Sequence, residues 1–325
     1  MKINSEVYGT EEIKEPVLIE LINSKAIQRL KEISQYGMPS EYYHKKSPFT
    51  RYDHSIGVLI LLRRLNAALQ EQIAGLLHDV SHTAFSHVID WIIGDPEKED
   101  FQDKTHLKIL NNSNIPKILS KYSINYEEVS NNKNFTLLDK ELPSLCADRI
   151  DYAIQELKRE SNYNIERFLN NLLNYKGQIV FKSKEVAEDF AEKFSTLQKE
   201  HWAGDQAKAR YFILAGILKK ALEKNIITLN DFNKTDKEVI DILIKSSDKE
   251  MLNGLKLLRN GFKIKPSFDG SGVILKKKFR YIDPEILKGE NINKLSEISF
   301  DYKIFLESEK QNSNRDLRVN IVGLK

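Results

Sequence analysis

The chain has 325 residues, enough to bury a full core as one large domain or as one domain with a small appendage. Its hydrophobic and charged fractions, 41% and 30%, are those of a soluble globular protein, and a formal charge of +3 gives no argument for nucleic acid or a membrane surface. A single cysteine, Cys146, excludes an internal disulfide and a cysteine-based zinc site, and within Leu145-Cys146-Ala147 it reads as a small core residue.

In chain order, residues 1–16 read as an irregular or short-strand lead-in ending at Pro16. Leu18, Leu21, Ile22, Ile27, Leu30 and Ile33 recur at helical spacing, as two short helices broken at Asn23-Ser24, and Gly37 and Pro39 supply the stop. His44 lies among lysines in a loop and reads as solvated. From Arg51 an apolar helix runs to Leu69. A short turn leads to the run Ile73-Ala74-Gly75-Leu76-Leu77, which delivers His78 and Asp79. Three imidazoles and a carboxylate fall within His78 to His87, in a chain with seven histidines. On one unbroken helix His78 and His87 would point in opposite directions, so a shared site requires a break between Asp79 and Thr83. Two antiparallel helices with a short link bring His54 and His78 together.

Beyond His87 a helix is expected to continue through Ile93 and stop at Gly94-Asp95-Pro96, and His106 heads a further segment. Leu142 to Ala153 opens a long helix that places Asp148, Asp151 and Tyr152 on one face. Taken alone, Asp148 is explained equally well as a charge favoured by the helix dipole. Residues 161–260 alternate helical segments with polar loops. From Gly261 the texture changes: Phe262 to Lys265, Val273 to Lys276, Ile298 to Phe305 and Leu317 to Val322 read as short strands. The expected architecture is therefore a mainly α-helical domain over 1–260 with a small strand-containing α+β appendage over 261–325. A polar start without an apolar leader, and the lack of any run of membrane-spanning length, make a cytoplasmic protein the expectation.

Set together, His54, His78-Asp79 and Asp148 form an ordered H…HD…D pattern that resembles the HD superfamily of metal-dependent phosphohydrolases. Arg51-Tyr52-Asp53-His54-Ser55-Ile56-Gly57-Val58, His78-Asp79-Val80-Ser81-His82-Thr83-Ala84-Phe85-Ser86-His87 and Asp148-Arg149-Ile150-Asp151-Tyr152 resemble three signature blocks of its deoxynucleoside triphosphate triphosphohydrolase branch. Gln28-Arg29-Leu30 and Ser34-Gln35-Tyr36-Gly37 are similar to its N-terminal block. The resemblance fades after about residue 170. The residue types suit the chemistry independently: two imidazoles and two carboxylates can hold one divalent ion, favouring Mn or Fe over Mg, with positions left for water and a phosphate oxygen.

The resemblance implies a helical bundle, a dimer or larger homo-oligomer, and a small-molecule nucleotide substrate. It implies His54, His78, Asp79 and Asp148 as metal ligands, with Arg51, His87 and Arg149 clamping phosphates. His82 and His106 would flank the scissile bond, His106 as general acid with Asp90 as an orienting partner. Tyr152 would pack on the sugar and Gln35 would meet its 3′ hydroxyl. Three positions depart from the branch: Tyr36 stands where leucine is usual beside the sugar, Glu156 replaces an aspartate, and Ser81 replaces a glycine. A phosphomonoesterase or phosphodiesterase acting on another nucleotide or a nucleic acid end, and a non-catalytic nucleotide sensor, are the alternatives. Lys276-Lys277-Lys278-Phe279-Arg280-Tyr281 interleaves cations with aromatics and could bind nucleic acid, although such a run is commoner on a solvated strand edge.

Overall fold

The computed structural model describes residues 1–43, 47–161, 163–268, 270–313 and 317–323, so His44 lies outside the described residues. It is mainly helical, and three helices carry the site: Arg51–Arg64, Leu69–Leu77 and Ala147–Ser161. The first begins at a reciprocal cap. Thr50 Oγ1 accepts the Asp53 N–H at 3.1 Å while Asp53 Oδ2 accepts the Thr50 N–H at 3.0 Å. That cap fixes Arg51 and His54 in the opening turn. Every residue from His54 to Leu62 is buried, so this helix is wrapped on all sides. Asn66, in a left-handed conformation, turns the chain back into Leu69–Leu77, whose Ile73, Ala74, Leu76 and Leu77 join the same core as Leu59, Ile60 and Leu62.

The break needed between the histidines comes earlier than the spacing predicts. The α-helix ends at Leu77, His78 is its C-cap, and no α-helix restarts at Ser81 or Thr83. Phe85 and Ser86 are both left-handed and lead into a single 3-10 segment, Ser86–Trp91, rather than a longer helix. Asp236 holds this turn. Its carboxylate accepts the N–H groups of Phe85 at 2.7 Å and Ser34 at 2.9 Å, joining the histidine turn to the Gln35-Tyr36 loop. Arg29 binds the carbonyls of Val80 and His82 from the other side.

A hairpin of Lys2–Ser5 and Gly9–Glu12 forms the lead-in. Two further hairpins, Leu172–Tyr175 with Gln178–Phe181 and Glu285–Lys288 with Asn291–Lys294, join through a parallel contact of Phe181 with Ile286. Leu317–Gly323 lies between Phe262–Pro266 and Val273–Leu275 in a separate sheet. The alternation over Ile298 to Phe305 does not make a strand. Phe300–Ser313 is helical, with Tyr302, Leu306 and Glu309 inward and Phe300 and Ile304 exposed. Residues 261–325 feed two hydrophobic clusters. Ile282, Ile286, Leu295, Tyr302 and Leu306 pack with the site helices, and Phe262, Leu275 and Val319 pack with Leu214, Leu218 and Leu255. No helix among the described residues is long and apolar enough to cross a membrane.

Candidate metal centre and substrate cavity

His54 projects from the first turn of Arg51–Arg64, His78 caps Leu69–Leu77, and Asp148 opens Ala147–Ser161. Their ligand atoms converge within 4.8 Å of one another. His54 Nε2 lies 3.2 Å from His78 Nε2 and 2.9 Å from Asp148 Oδ1. Asp79 completes the ring, with Oδ1 at 3.4 Å from His78 Nε2 and Oδ2 at 3.8 Å from His54 Nε2. Donors bound at right angles through 2.0–2.1 Å bonds stand about 3.0 Å apart, close to this spacing.

The outer hydrogen bonds decide which nitrogens face inward. His78 Nδ1 is 2.7 Å from the Gly75 carbonyl, which only accepts, so that nitrogen carries the proton. His54 Nδ1 is 2.7 Å from Asp151 Oδ2, a fully buried carboxylate that also accepts the Tyr8 hydroxyl at 2.6 Å. Two neutral imidazoles so fixed would point two lone pairs at each other across 3.2 Å. A cation between them removes that repulsion and satisfies both carboxylates. Burial alone would lower the His54 pKa, but Asp148 and Asp151 outweigh it and push it up to about 10. The pocket thus draws positive charge onto itself. The residues present suit one divalent ion: His54, His78 and Asp148 offer three converging donors, with Asp79 beside them.

Arg51 is almost fully buried, and an unpartnered guanidinium there would cost several kcal/mol. Its NH1 donates to Asp79 Oδ2 at 2.8 Å and its Nε to Ser86 Oγ at 3.0 Å. The Arg51 guanidinium, with His78 and His82, overcomes burial and holds the Asp79 carboxyl well below the usual carboxylate range. His82 Nε2 is 3.2 Å from Asp79 Oδ1, and burial with Arg51 pushes His82 down to about 3. Its imidazole is neutral at pH 7.

Arg51, His78, Asp79, His82, His87, Asp148, Arg149, Tyr152, Gln35 and Tyr36 line a cavity of about 340 Å³, within the range of small-molecule sites. His106 and Asp90 do not line it. His106 Nδ1 meets Ser81 Oγ at 3.0 Å, its Nε2 is buried without a hydrogen-bond partner, and burial with His78 nearby pushes it down to about 4. Asp90 lies behind His87 rather than His106, with Oδ2 at 3.6 Å from His87 Nδ1. Arg149 spends its guanidinium on the carbonyls of Ser144 and Lys140 and on Cys146 Sγ, anchoring the loop before its own helix. Gln35 Oε1 is buried without a hydrogen-bond partner. Tyr36 stacks on Tyr43 at 5.2 Å, and Tyr152 packs edge-on to Trp202 at 4.9 Å. Trp202 donates to Glu156, which occupies the departure position noted above.

Sequence reasoning left out three groups. Asp151 orients His54, and its i+3 spacing from Asp148 carries that signal. Gly57 allows its approach: a Cβ there would lie 2.0 Å from Asp151 Oδ1. Glu99 and Lys208 line the cavity beside Lys278 and Arg280 of the basic run at 276–281, and no local spacing announces the first two.

A sequence profile of the HD domain family matches residues 51–152. Protein YdhJ of Bacillus subtilis is 36% identical over 99% of both chains. The metal-dependent phosphohydrolase cns2 of Cordyceps militaris is 29% identical over 87% of this chain and 84% of its own. A Dictyostelium discoideum SAMHD1 homologue, named as a deoxynucleoside triphosphate triphosphohydrolase, is 25% identical over 79% of this chain and 57% of its own. A hypothetical protein from Aquifex aeolicus shares the fold, with a TM-score of 0.68 at 19% identity over 99% of this chain and 96% of that one. The histidine and aspartate cluster, the matched profile and the near full-length relatives agree: this chain belongs to the HD family of metal-dependent phosphohydrolases.

Proposed function

We propose that the protein hydrolyses nucleotides, releasing deoxynucleoside and triphosphate from a deoxynucleoside triphosphate. The observation that carries this reading is the cavity itself, whose lining combines His78, Asp79 and Asp148 of the metal cluster with Arg51, His87, Tyr36 and Tyr152. A divalent ion held by His54, His78, Asp79 and Asp148 would polarise a phosphoryl oxygen and acidify a water at neutral pH. Arg51 stands beside the cluster, where it can neutralise a non-bridging oxygen. His87 lines the cavity with Nδ1 turned toward Asp90, so it is better placed than His106 to give a proton to the departing 5′ oxygen. Tyr152 and Tyr36 offer flat faces to a sugar and base. The naming of the Dictyostelium relative supports the substrate class.

A second reading has one specific observation behind it. Tyr36 is bulkier than the leucine usual in the triphosphohydrolase branch and stacks on Tyr43, which favours a different nucleotide or a phosphate monoester. The test is a product assay. Metal-loaded protein is offered deoxy- and ribonucleoside mono-, di- and triphosphates, with a His78→Ala/Asp79→Ala blank, and products are separated by ion exchange. Deoxynucleoside plus triphosphate, absent from the blank, supports the proposal. Orthophosphate or release from a monophosphate alone moves the substrate class. Absence of turnover in metal-loaded protein removes the nucleotide reading and leaves a non-nucleotide substrate or a sensor.

A further inference from the structure

The tip of a hairpin ordinarily lies in solvent. In the N-terminal hairpin, between Lys2–Ser5 and Gly9–Glu12, both Val7 and Tyr8 of the tip are buried. Two of the site helices each hold this tip with one arginine. Arg64, the last residue of Arg51–Arg64, donates to the Tyr8 carbonyl at 2.6 Å and lies over the Tyr8 ring, 5.4 Å from its centroid. Arg159 of Ala147–Ser161 donates to Glu6 Oε2 at 2.8 Å. Ser5 Oγ accepts the Tyr8 N–H at 3.2 Å.

So fixed, the Tyr8 side chain reaches the place where Asp151 packs on Gly57, and its hydroxyl donates to Asp151 Oδ1 at 2.6 Å. The other oxygen, Oδ2, lies 2.7 Å from His54 Nδ1. Asp151 is fully buried, and the Gln155 amide stands 3.5 Å from Oδ1, so Tyr8 supplies the short bond to that oxygen. Burying a carboxylate is costly where apolar packing would fill the same space. This carboxylate is kept at the outer nitrogen of a metal ligand. With a donor on each oxygen it has one orientation. It accepts the Nδ1 proton of His54 and leaves Nε2 turned toward His78 and Asp148. Without the phenol, Oδ1 is a buried acceptor lacking its short bond, and the carboxylate is free to rotate away from His54.

We propose that Tyr8 is a positioning residue for the metal centre, and that the N-terminal hairpin and the bound ion stabilise one another through Asp151 and His54. The coupling is reciprocal: whatever factor the docked hairpin adds to metal affinity, the ion returns to the docking of the hairpin. This inference rests on the metal assignment above and on no substrate.

Mn²⁺ is titrated calorimetrically into the metal-stripped full-length chain as wild type, Tyr8→Phe and Tyr122→Phe. Phenylalanine keeps the ring and its packing and removes only the hydroxyl. Tyr122 is the control, because its hydroxyl donates to Glu20 and it does not line the cavity. Expected is Mn²⁺ binding about tenfold to a hundredfold weaker in Tyr8→Phe and unchanged in Tyr122→Phe. The second measurement is hydrogen exchange read by mass spectrometry, with the strand Leu317–Gly323 as reference. Mn²⁺ should slow exchange in Lys2–Ser5 and Gly9–Glu12 of wild type by about tenfold or more relative to that strand. This arm needs wild-type protein only, so it decides the matter if Tyr8→Phe fails to fold. Tyr8→Phe that binds Mn²⁺ as tightly as wild type, or an equal loss in Tyr122→Phe, overturns the positioning role. A hairpin that Mn²⁺ protects no more than the reference strand overturns the coupling. A wild-type chain that binds no Mn²⁺ overturns the metal centre itself, and with it this inference.

Discussion

Replacing Gly57 by alanine tests the contact on which the metal centre is built. On an ordinary helix the change stabilises by about 1 kcal/mol, because alanine loses less backbone entropy. Here the new Cβ would sit 2.0 Å from Asp151 Oδ1 and 2.7 Å from its Cγ. Ordinary van der Waals contact begins near 3.4 Å, so the carboxylate must retreat by roughly 1.4 Å. Asp151 cannot do so and keep its bonds to His54 Nδ1 at 2.7 Å and the Tyr8 hydroxyl at 2.6 Å. Overpacking costs about 1–3 kcal/mol and each weakened bond to a buried charge about 1.5–3 kcal/mol, against the gain of about 1. The expected result is a net loss of about 3–8 kcal/mol in metal-free urea denaturation. Metal affinity should fall about tenfold to a hundredfold, because His54 loses the carboxylate that orients it. A Gly57→Ala protein that is as stable as wild type or more so, and binds metal equally well, would refute the packing of these two helices described above.

Three other outcomes follow from the same geometry. Asp236→Ala strands the buried N–H groups of Phe85 and Ser34 and should cost about 2–5 kcal/mol in denaturant melts. Burial pushes the Asp236 carboxyl up to about 7 from 3.8, despite those two donors. Its native state therefore holds an extra proton between those values, so stability should decline as pH rises through that window, and Asp236→Asn should flatten the profile. Cys146 is buried, and burial pushes its thiol up to about 11, so a maleimide at pH 8 should label it only after unfolding. Chelation should lower the thermal midpoint of wild type, by an amount equivalent to about 2.7 kcal/mol when metal had been present at a hundred times its Kd. His78→Ala should show no such metal-dependent increment.

The site helices were legible because their signals are local. Thr50 and Asp53 cap one helix, buried apolar runs flank His54 and His78, and Asp148 opens a strongly amphipathic helix. What escaped depends on contacts distant in the chain. Asp236 fixes the histidine turn from 151 residues beyond Phe85, and Arg280 reaches Glu99 across 181. Lys176 and Gly177, both at positive φ, did offer a two-residue hairpin signal between Leu172–Tyr175 and Gln178–Phe181. The reading of 298–305 as a strand failed because alternation over a few residues also fits a helix when Phe300 and Ile304 are simply exposed. Roles that were implied only by family resemblance divide in the same way. Arg51, His82, His87, Arg149 and Tyr152 of the signature blocks all line the cavity, Arg149 while bound to its own loop, whereas His106 lies outside it behind Ser81.

The most direct test of the proposed chemistry is hydrolysis of a deoxynucleoside triphosphate in ¹⁸O-labelled water by the metal-loaded protein, with both products weighed by mass spectrometry. Attack at the α-phosphorus breaks the bond to the 5′ oxygen and sends the proton there. The account therefore predicts triphosphate carrying one labelled oxygen and an unlabelled deoxynucleoside. Label in the nucleoside, labelled orthophosphate with a remaining diphosphate, or no cleavage at all would contradict it.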